Sequence, residues 1–211
     1  FRLHHRLCLR PGKPLENSKL VVVGSFRTGG AGKTPFCIWL CNQLASQGKR
    51  VALLCHEYAL DEIAMLREKF STNALVEVFA TRNRYQAAQE LDKASKFDII
   101  LCDDGFEDSR LVNATTIILE WENTPRKISD LWPFGKMRSL AKDHENGPQA
   151  AITLNCSGES PDIRFVLDKV SSPVAGDFPN TQKATVFCDE EFSHFSADFF
   201  ADRNILKIRF S

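Results

Sequence analysis

The densest run of residues able to do chemistry is GSFRTGGAGKTP, residues 24–35, which follows directly on the apolar run KLVVVG. Gly29, Gly30, Ala31 and Gly32 lead into Lys33 and Thr34. Glycines admit positive φ and let the backbone approach an anion closely. In a phosphate-binding loop, a lysine so placed reaches the β- and γ-phosphates and the threonine hydroxyl ligates magnesium. The strict pattern carries glycine five residues before Gly32, where this chain has Arg27. The plainer meaning of the same residues is a glycine-rich turn that caps a helix. A second cluster is CDDG at 102–105, two adjacent acids after an apolar run. Asp103 and Asp104 at a strand end could complete a magnesium shell, or form a solvated Asp-Asp-Gly turn. Asp61 and Glu62 make a third group. They could serve the dipole of a helix they open, or Asp61 could take the proton of an acceptor hydroxyl during phosphoryl transfer.

These residues need a scaffold that brings them to one edge, and the hydrophobic pattern predicts one. Leu20–Val23 is short and β-branched, as a buried parallel strand is. After the glycines, Phe36, Ile38, Trp39, Leu40 and Leu44 fall at spacings a helix buries. Further strands are expected at 50–55, 74–80, 97–104, 115–120 and 150–155, with helices at 61–70 and 83–95 between them. Alternation of this kind predicts a P-loop NTPase-like α/β fold: a mostly parallel sheet flanked by helices, with right-handed crossovers. Ligands bind such sheets beyond the carboxyl ends of the strands, where both the glycine run and Asp103–Asp104 fall. The expected organisation is a basic arm over 1–18, a kinase-like core over 19–160 and a small C-terminal α/β extension over 161–211. The connection from 122 to 148, with Pro125, Pro133, Gly135, Gly147 and Pro148, is longer than loops without a task usually are.

Composition narrows the partners. Of 211 residues, 27 are Lys or Arg and 27 Asp or Glu, so bulk charge offers no attraction to nucleic acid, and none is expected as a partner. The seven cysteines show no CxxC spacing and read as small core hydrophobes in a reducing compartment. No apolar run approaches the about 18 residues of a spanning helix. The chain begins at Phe1, which points to a preceding piece. Arg2, Arg6, Arg10, Lys13 and Lys19 stand against Glu16 alone, with Phe1, Leu3, Leu7 and Leu9 interleaved. That arm could rest on an anionic membrane surface or simply fray in solvent.

Taken together, VVVGSFRTGGAGKTP resembles the phosphate loop of the tetraacyldisaccharide 4'-kinases, the lipid A 4'-kinases, including the trailing Pro35 and the tolerance of a non-glycine at Arg27. DIILCDDGFEDSRL (98–111) is similar to the family's DDGFQH segment and LWPFGKMRSL (131–140) to its LPAGPLRE. LLCHEYALDE (53–62), ATRNRYQAA (80–88) and VFCDEEFSHFSADFF (186–200) resemble further family segments, collinear over roughly 10–200. The resemblance implies an ATP- and magnesium-dependent kinase that phosphorylates the 4'-hydroxyl of a lipid A disaccharide precursor, a glycolipid, at the cytoplasmic face of the inner membrane. It implies Arg138 as a nucleotide-site cation and Asp61 as the base. His56 and Glu57 replace an arginine and a glycine of the family pattern, and Glu107 and Asp108 a glutamine and a histidine. Glu190 stands where the family has the histidine that supports the catalytic aspartate, so Glu190 joins Asp61 as a proton-handling candidate. Two other readings stay open: a nucleotide-binding homologue without transfer activity, and a kinase for a smaller sugar acceptor.

Overall fold

The computed structural model describes residues 12–27, 30–121, 128–132, 134–135, 137–139, 152–156 and 162, with the backbone of 165–167 and 186–188. Six strands form one sheet: β1 (Lys19–Gly24), β2 (Val51–His56), β3 (Val76–Thr81), β4 (Ile99–Asp103), β5 (Thr115–Glu120) and β6 (Ile152–Asn155). Their order is β3-β2-β4-β1-β5-β6, and every pairing is parallel. Three helices alternate with the early strands: α1 (Lys33–Ser46), α2 (Leu60–Lys69) and α3 (Arg84–Lys93). Phe165–Leu167 (β7) and Val186–Cys188 (β8) pair antiparallel in a separate two-stranded sheet.

Side chains along β1 alternate between two cores, as the twofold strand period requires. Val21 and Val23 join one with Leu40, Leu44, Ile63 and Leu66 of α1 and α2. Leu20 and Val22 join the other with Ala88 of α3, Phe97, Phe106 and Leu111. Central strands covered on both faces read as continuous apolar runs, which is why β1, β2 and β4 were visible in the sequence. On α1 the buried stripe is Phe36, Cys37, Leu40, Cys41, Leu44 and Ala45, and Ile38 and Trp39 lie at its margin, only partly buried. The expectation that Ile38 and Trp39 belong to the buried face is corrected by a rotation of about one residue: at 100° per residue, 36/37, 40/41 and 44/45 share one side.

Cys37, Cys41, Cys55, Cys102 and Cys156 are buried free thiols, so these five cysteines are core residues. Burial, the largest cause in each case, raises the Cys37 and Cys41 thiols and pushes Cys55 and Cys102 up to about 12.

The segment before β1 is fastened to α3. The backbone N–H groups of Glu16, Asn17 and Ser18 all donate to the carboxylate of Asp92, at 2.7–2.9 Å, and Asn17 Nδ2 donates to the Asp92 carbonyl at 3.1 Å. Residues 1–11 of the basic arm lie outside the described residues.

Candidate functional site

Register sets the site. In the β1–β4 pairing Val23 lies opposite Asp103, so the glycine loop after β1 and the acids closing β4 emerge side by side at the carboxyl edge. Gly30 and Gly32 adopt left-handed φ values of 64° and 75°, which turn the chain into α1 without a Cβ penalty. No acid occupies the first turn of α1, which leaves the positive end of the helix dipole for an outside anion. Ala31 is buried, and its carbonyl accepts from Trp121 Nε1 at 2.9 Å; the Arg27 guanidinium lies 5.7 Å from the Trp121 ring. Trp121, just past β5, thus braces the loop. Gly29 lies outside the described residues.

The two adjacent acids divide their work. Asp103 ends the strand, 6% exposed, and its Oδ2 accepts from Thr34 Oγ1 at 3.0 Å. Asp104 leaves the strand with φ 59° and faces the cations instead. Its carboxylate accepts from Arg138 Nη1 at 3.0 and 2.9 Å, and Lys33 Nζ lies 3.6 Å away. Glu107 stands 3.9 Å from the same Arg138 nitrogen. Arg138 reaches this place because its segment is tied to the glycine loop: its N–H donates to the Phe26 carbonyl at 2.8 Å and its Nε to that of Arg27 at 3.2 Å. Two cations from distant segments therefore meet beside the first turn of α1.

Glu62 was not singled out for this site by sequence reasoning, yet it also accepts from Thr34 Oγ1. One hydroxyl thus bridges two carboxylates. Burial first, then the charges of Glu62 and Asp104, push Asp103 up to about 6, against the opposing help of Thr34 and Lys33. Asp103 Oδ1 is buried with no hydrogen-bond partner among the described residues. An orphaned carboxylate oxygen beside a threonine hydroxyl and a second carboxylate is a donor set that fits a hard cation such as magnesium. Among the described residues there is no cluster of three or more His, Cys, Asp or Glu side chains that could cage a metal. The fit is therefore to an ion that takes one or two carboxylates and leaves its other positions to phosphate and water.

Asp61 sits in the first turn of α2 beside Glu62, but it is exposed and makes no hydrogen bond or ion pair among the described residues. Glu190 lies outside the described residues. A second group missed in the sequence is Arg84, the first residue of α3, whose Nε is buried without a hydrogen-bond partner. Burial and the Arg84 charge together hold the His56 imidazole below its usual range. The His56 ring stacks on Tyr58 with centroids 4.7 Å apart. The signal for Arg84 was its position just after a strand, at a helix start.

A family model described as tetraacyldisaccharide-1-P 4'-kinase, LpxK, matches this chain over residues 15–61 and 56–164. The chain belongs to that family. Among its relatives, the tetraacyldisaccharide 4'-kinase of Chlamydia abortus is 28% identical over 166 residues, covering 68% of this chain and 44% of the relative. The tetraacyldisaccharide 4'-kinase of Francisella tularensis subsp. novicida is 26% identical over 199 residues, covering 83% and 61%. Against these curated relatives the chain spans about half their length. The crystal structure of the "apo" form of LpxK from Aquifex aeolicus in complex with ATP aligns at a TM-score of 0.51. It is 19% identical, over 72% of this chain and 58% of that one, so the two share a fold. The glycine loop, Asp103, Asp104 and Arg138 all fall inside the span matched by the LpxK family model.

Proposed function

We propose that this member of the LpxK family transfers the γ-phosphoryl group of ATP to the 4'-hydroxyl of a lipid A disaccharide precursor. The observation that carries the reading is the convergence of Lys33, Thr34, Asp103, Glu62 and Arg138 at the open N-terminus of α1. The backbone amides from Gly30 to Lys33, with Gly29, cradle the β- and γ-phosphates. Lys33 and Arg138 meet the charge that grows on the transferred group and on the departing ADP. Thr34, Asp103 and Glu62 would hold magnesium, with Asp104 positioning the two cations. When bound, that ion neutralises phosphate charge. The acceptor oxygen attacks the γ-phosphorus, the bond to the β–γ bridging oxygen breaks, and Asp61 takes the hydroxyl proton. Asp61 suits this task because it stands one residue from the Thr34 cluster, exposed to an incoming acceptor. Glu190 would be its supporting carboxylate.

This reading places the chain at the cytoplasmic face of the inner membrane, with 1–18 as a basic arm, 19–160 as the core and 161–211 as an extension. Among the described residues no helix is long and apolar enough to cross a membrane. The test is incubation with ATP, magnesium and the disaccharide precursor, with ADP and phosphorylated glycolipid both measured. Slow product formation that Asp61→Asn abolishes is expected. Tight ATP binding with no product would favour the homologue that binds nucleotide without transferring it.

A further inference from the structure

The sheet brings a strand end and the glycine loop together a second time, on the side away from Asp103 and Asp104. In the β1–β5 pairing Gly24 lies opposite Ile118, so Arg27 and Trp121, each three residues further along, leave the sheet as neighbours. Trp121 packs against the core with part of its surface. Its indole meets the loop at two points. The Arg27 guanidinium lies over the ring at 5.7 Å, and Nε1 donates to the Ala31 carbonyl at 2.9 Å. Arg27 stands before the glycines and Ala31 among them, so one rigid bicycle spans the turn.

The bond to Ala31 acts on more than the carbonyl. A peptide unit is planar and trans, so its C=O and N–H point in opposite directions. With the Ala31 carbonyl aimed at Trp121, the Gly32 N–H is aimed away from the β5 side. Strand order puts β4 on the other side of β1, and with it Asp104, whose carboxylate gathers Lys33 and Arg138. The amide thus faces the side where the cations stand. The local chain does little to hold that direction. Gly32 tolerates either sign of φ, so its peptide with Ala31 can turn over at small backbone cost. A helix would offer this carbonyl the N–H four residues on, but residue 35 is proline and has none. Ala31 is 1% exposed, so water is no substitute. We infer that Trp121 is a positioning residue for the phosphate site, its indole N–H fixing the Ala31–Gly32 peptide with the amide turned toward the bound anion. Turned over, the same peptide would present a carbonyl oxygen, which repels phosphate. The ligand class is the polyphosphate of a nucleoside triphosphate. The inference therefore rests on the part of the proposed function in which the glycine loop holds phosphate, and on no particular acceptor.

The test removes the N–H and keeps the shape. Trp121→Phe deletes the donor together with part of the ring, whereas replacing Trp121 by benzothienylalanine exchanges only the N–H for sulfur. Each full-length protein is titrated with ATP and with inorganic tripolyphosphate by calorimetry, and the Gly32 amide proton is followed by NMR. In the wild type, tripolyphosphate should move that proton downfield, as a hydrogen bond to an anion does. Both replacements should weaken both ligands at least about fivefold, since a buried carbonyl loses its donor and an amide turns from the anion. Both should also abolish the downfield move. A brace that served stability alone would lower the thermal midpoint and leave the Gly32 response in place, and that result overturns the inference. Undiminished affinity in the benzothienylalanine protein does so too, as does a loss confined to Trp121→Phe, which would assign the effect to packing. Each of these leaves the phosphate loop intact. A wild type that binds neither ligand overturns the phosphate-loop reading itself, and the role of Trp121 with it.

Discussion

A carboxyl group held at 6% exposure beside Glu62 and Asp104 releases its proton late, and the consequence for Asp103 is a definite pH dependence. Its pKa rises from 3.8 to about 6 on folding, so between those values the folded chain keeps a proton that the unfolded chain has lost. Stability must therefore fall as pH rises from about 4 to about 6, by on the order of 3 kcal/mol, and stay flat above on this group's account. Urea unfolding of wild type and Asp103→Asn across that window should show the variant gaining on the wild type as pH rises. A parallel pair of curves would show that folding does not raise the Asp103 carboxyl; if Asp103 also holds magnesium as proposed, added magnesium should shrink the wild type's loss and chelation should restore it. Lys33 is tested separately. A charge-assisted contact to phosphate contributes about 1.5–3 kcal/mol, so Lys33→Ala should weaken ATP binding about 10–150-fold by calorimetry. The division of labour between Asp103 and Asp104 was not legible in CDDG, since it depends on the left-handed φ of Asp104. Nor did DEI reveal that Glu62 rather than Asp61 faces Thr34. The rotation of α2 against α1 decides that, and it is a tertiary fact.

Elements that sit in the middle of the sheet were legible almost to the residue. The run TTIILE is β5, Thr115–Glu120, because a strand buried on both faces has no polar alternation to blur its limits. At the sheet's edge β3 starts at Val76 rather than 74, where burial is less complete. At 130–137 the sequence showed a long connection and a likeness to the family's LPAGPLRE segment but not the turn itself, because the groups that hold its foot, Phe26 and Arg27, are over a hundred positions away in sequence. The segment before β1 likewise carries no periodic signal, yet Asp92 holds three of its amides. Burial raises the Asp92 carboxyl, but the hydrogen bonds from Glu16, Ser18 and Asn17 outweigh it and leave the net shift downward. The stability this contributes is present above the ordinary carboxylate range and is lost as pH falls through the lowered value. Asp92→Ala should cost about 1–3 kcal/mol, as the buried Ser18 amide and the part-buried Glu16 and Asn17 amides lose a charged acceptor. It should also speed hydrogen exchange at residues 16–18 before any other strand responds. At the other end of β1, a Cβ on Gly24 would lie 2.3 Å from Phe106 Cβ. Gly24→Ala should therefore lower the thermal midpoint, with about 1–3 kcal/mol of overpacking strain.

Across the whole molecule, β4 inserts between β2 and β1 although it is made after both, so the sheet is complete only when strands 80 residues apart pair. Topologies dominated by such distant parallel pairings fold slowly. The sulfur atoms of the two cores bear on how that assembly comes apart. Cys37, Cys41, Cys55 and Cys102 lie on α1, β2 and β4, and Cys156 follows β6; all are buried, and the first four resist ionisation. A thiol that cannot form its thiolate in the native state reacts with a disulfide reagent only when its surroundings open. The chain thus carries built-in clocks spread across its interior. Under mild native conditions, mass-resolved labelling at α1, β2 and β4 should advance in step if the central sheet opens as one unit. A thiol that runs ahead would mark the first seam to part. ATP, by binding at the head of α1, should slow Cys37 and Cys41 along with the rest.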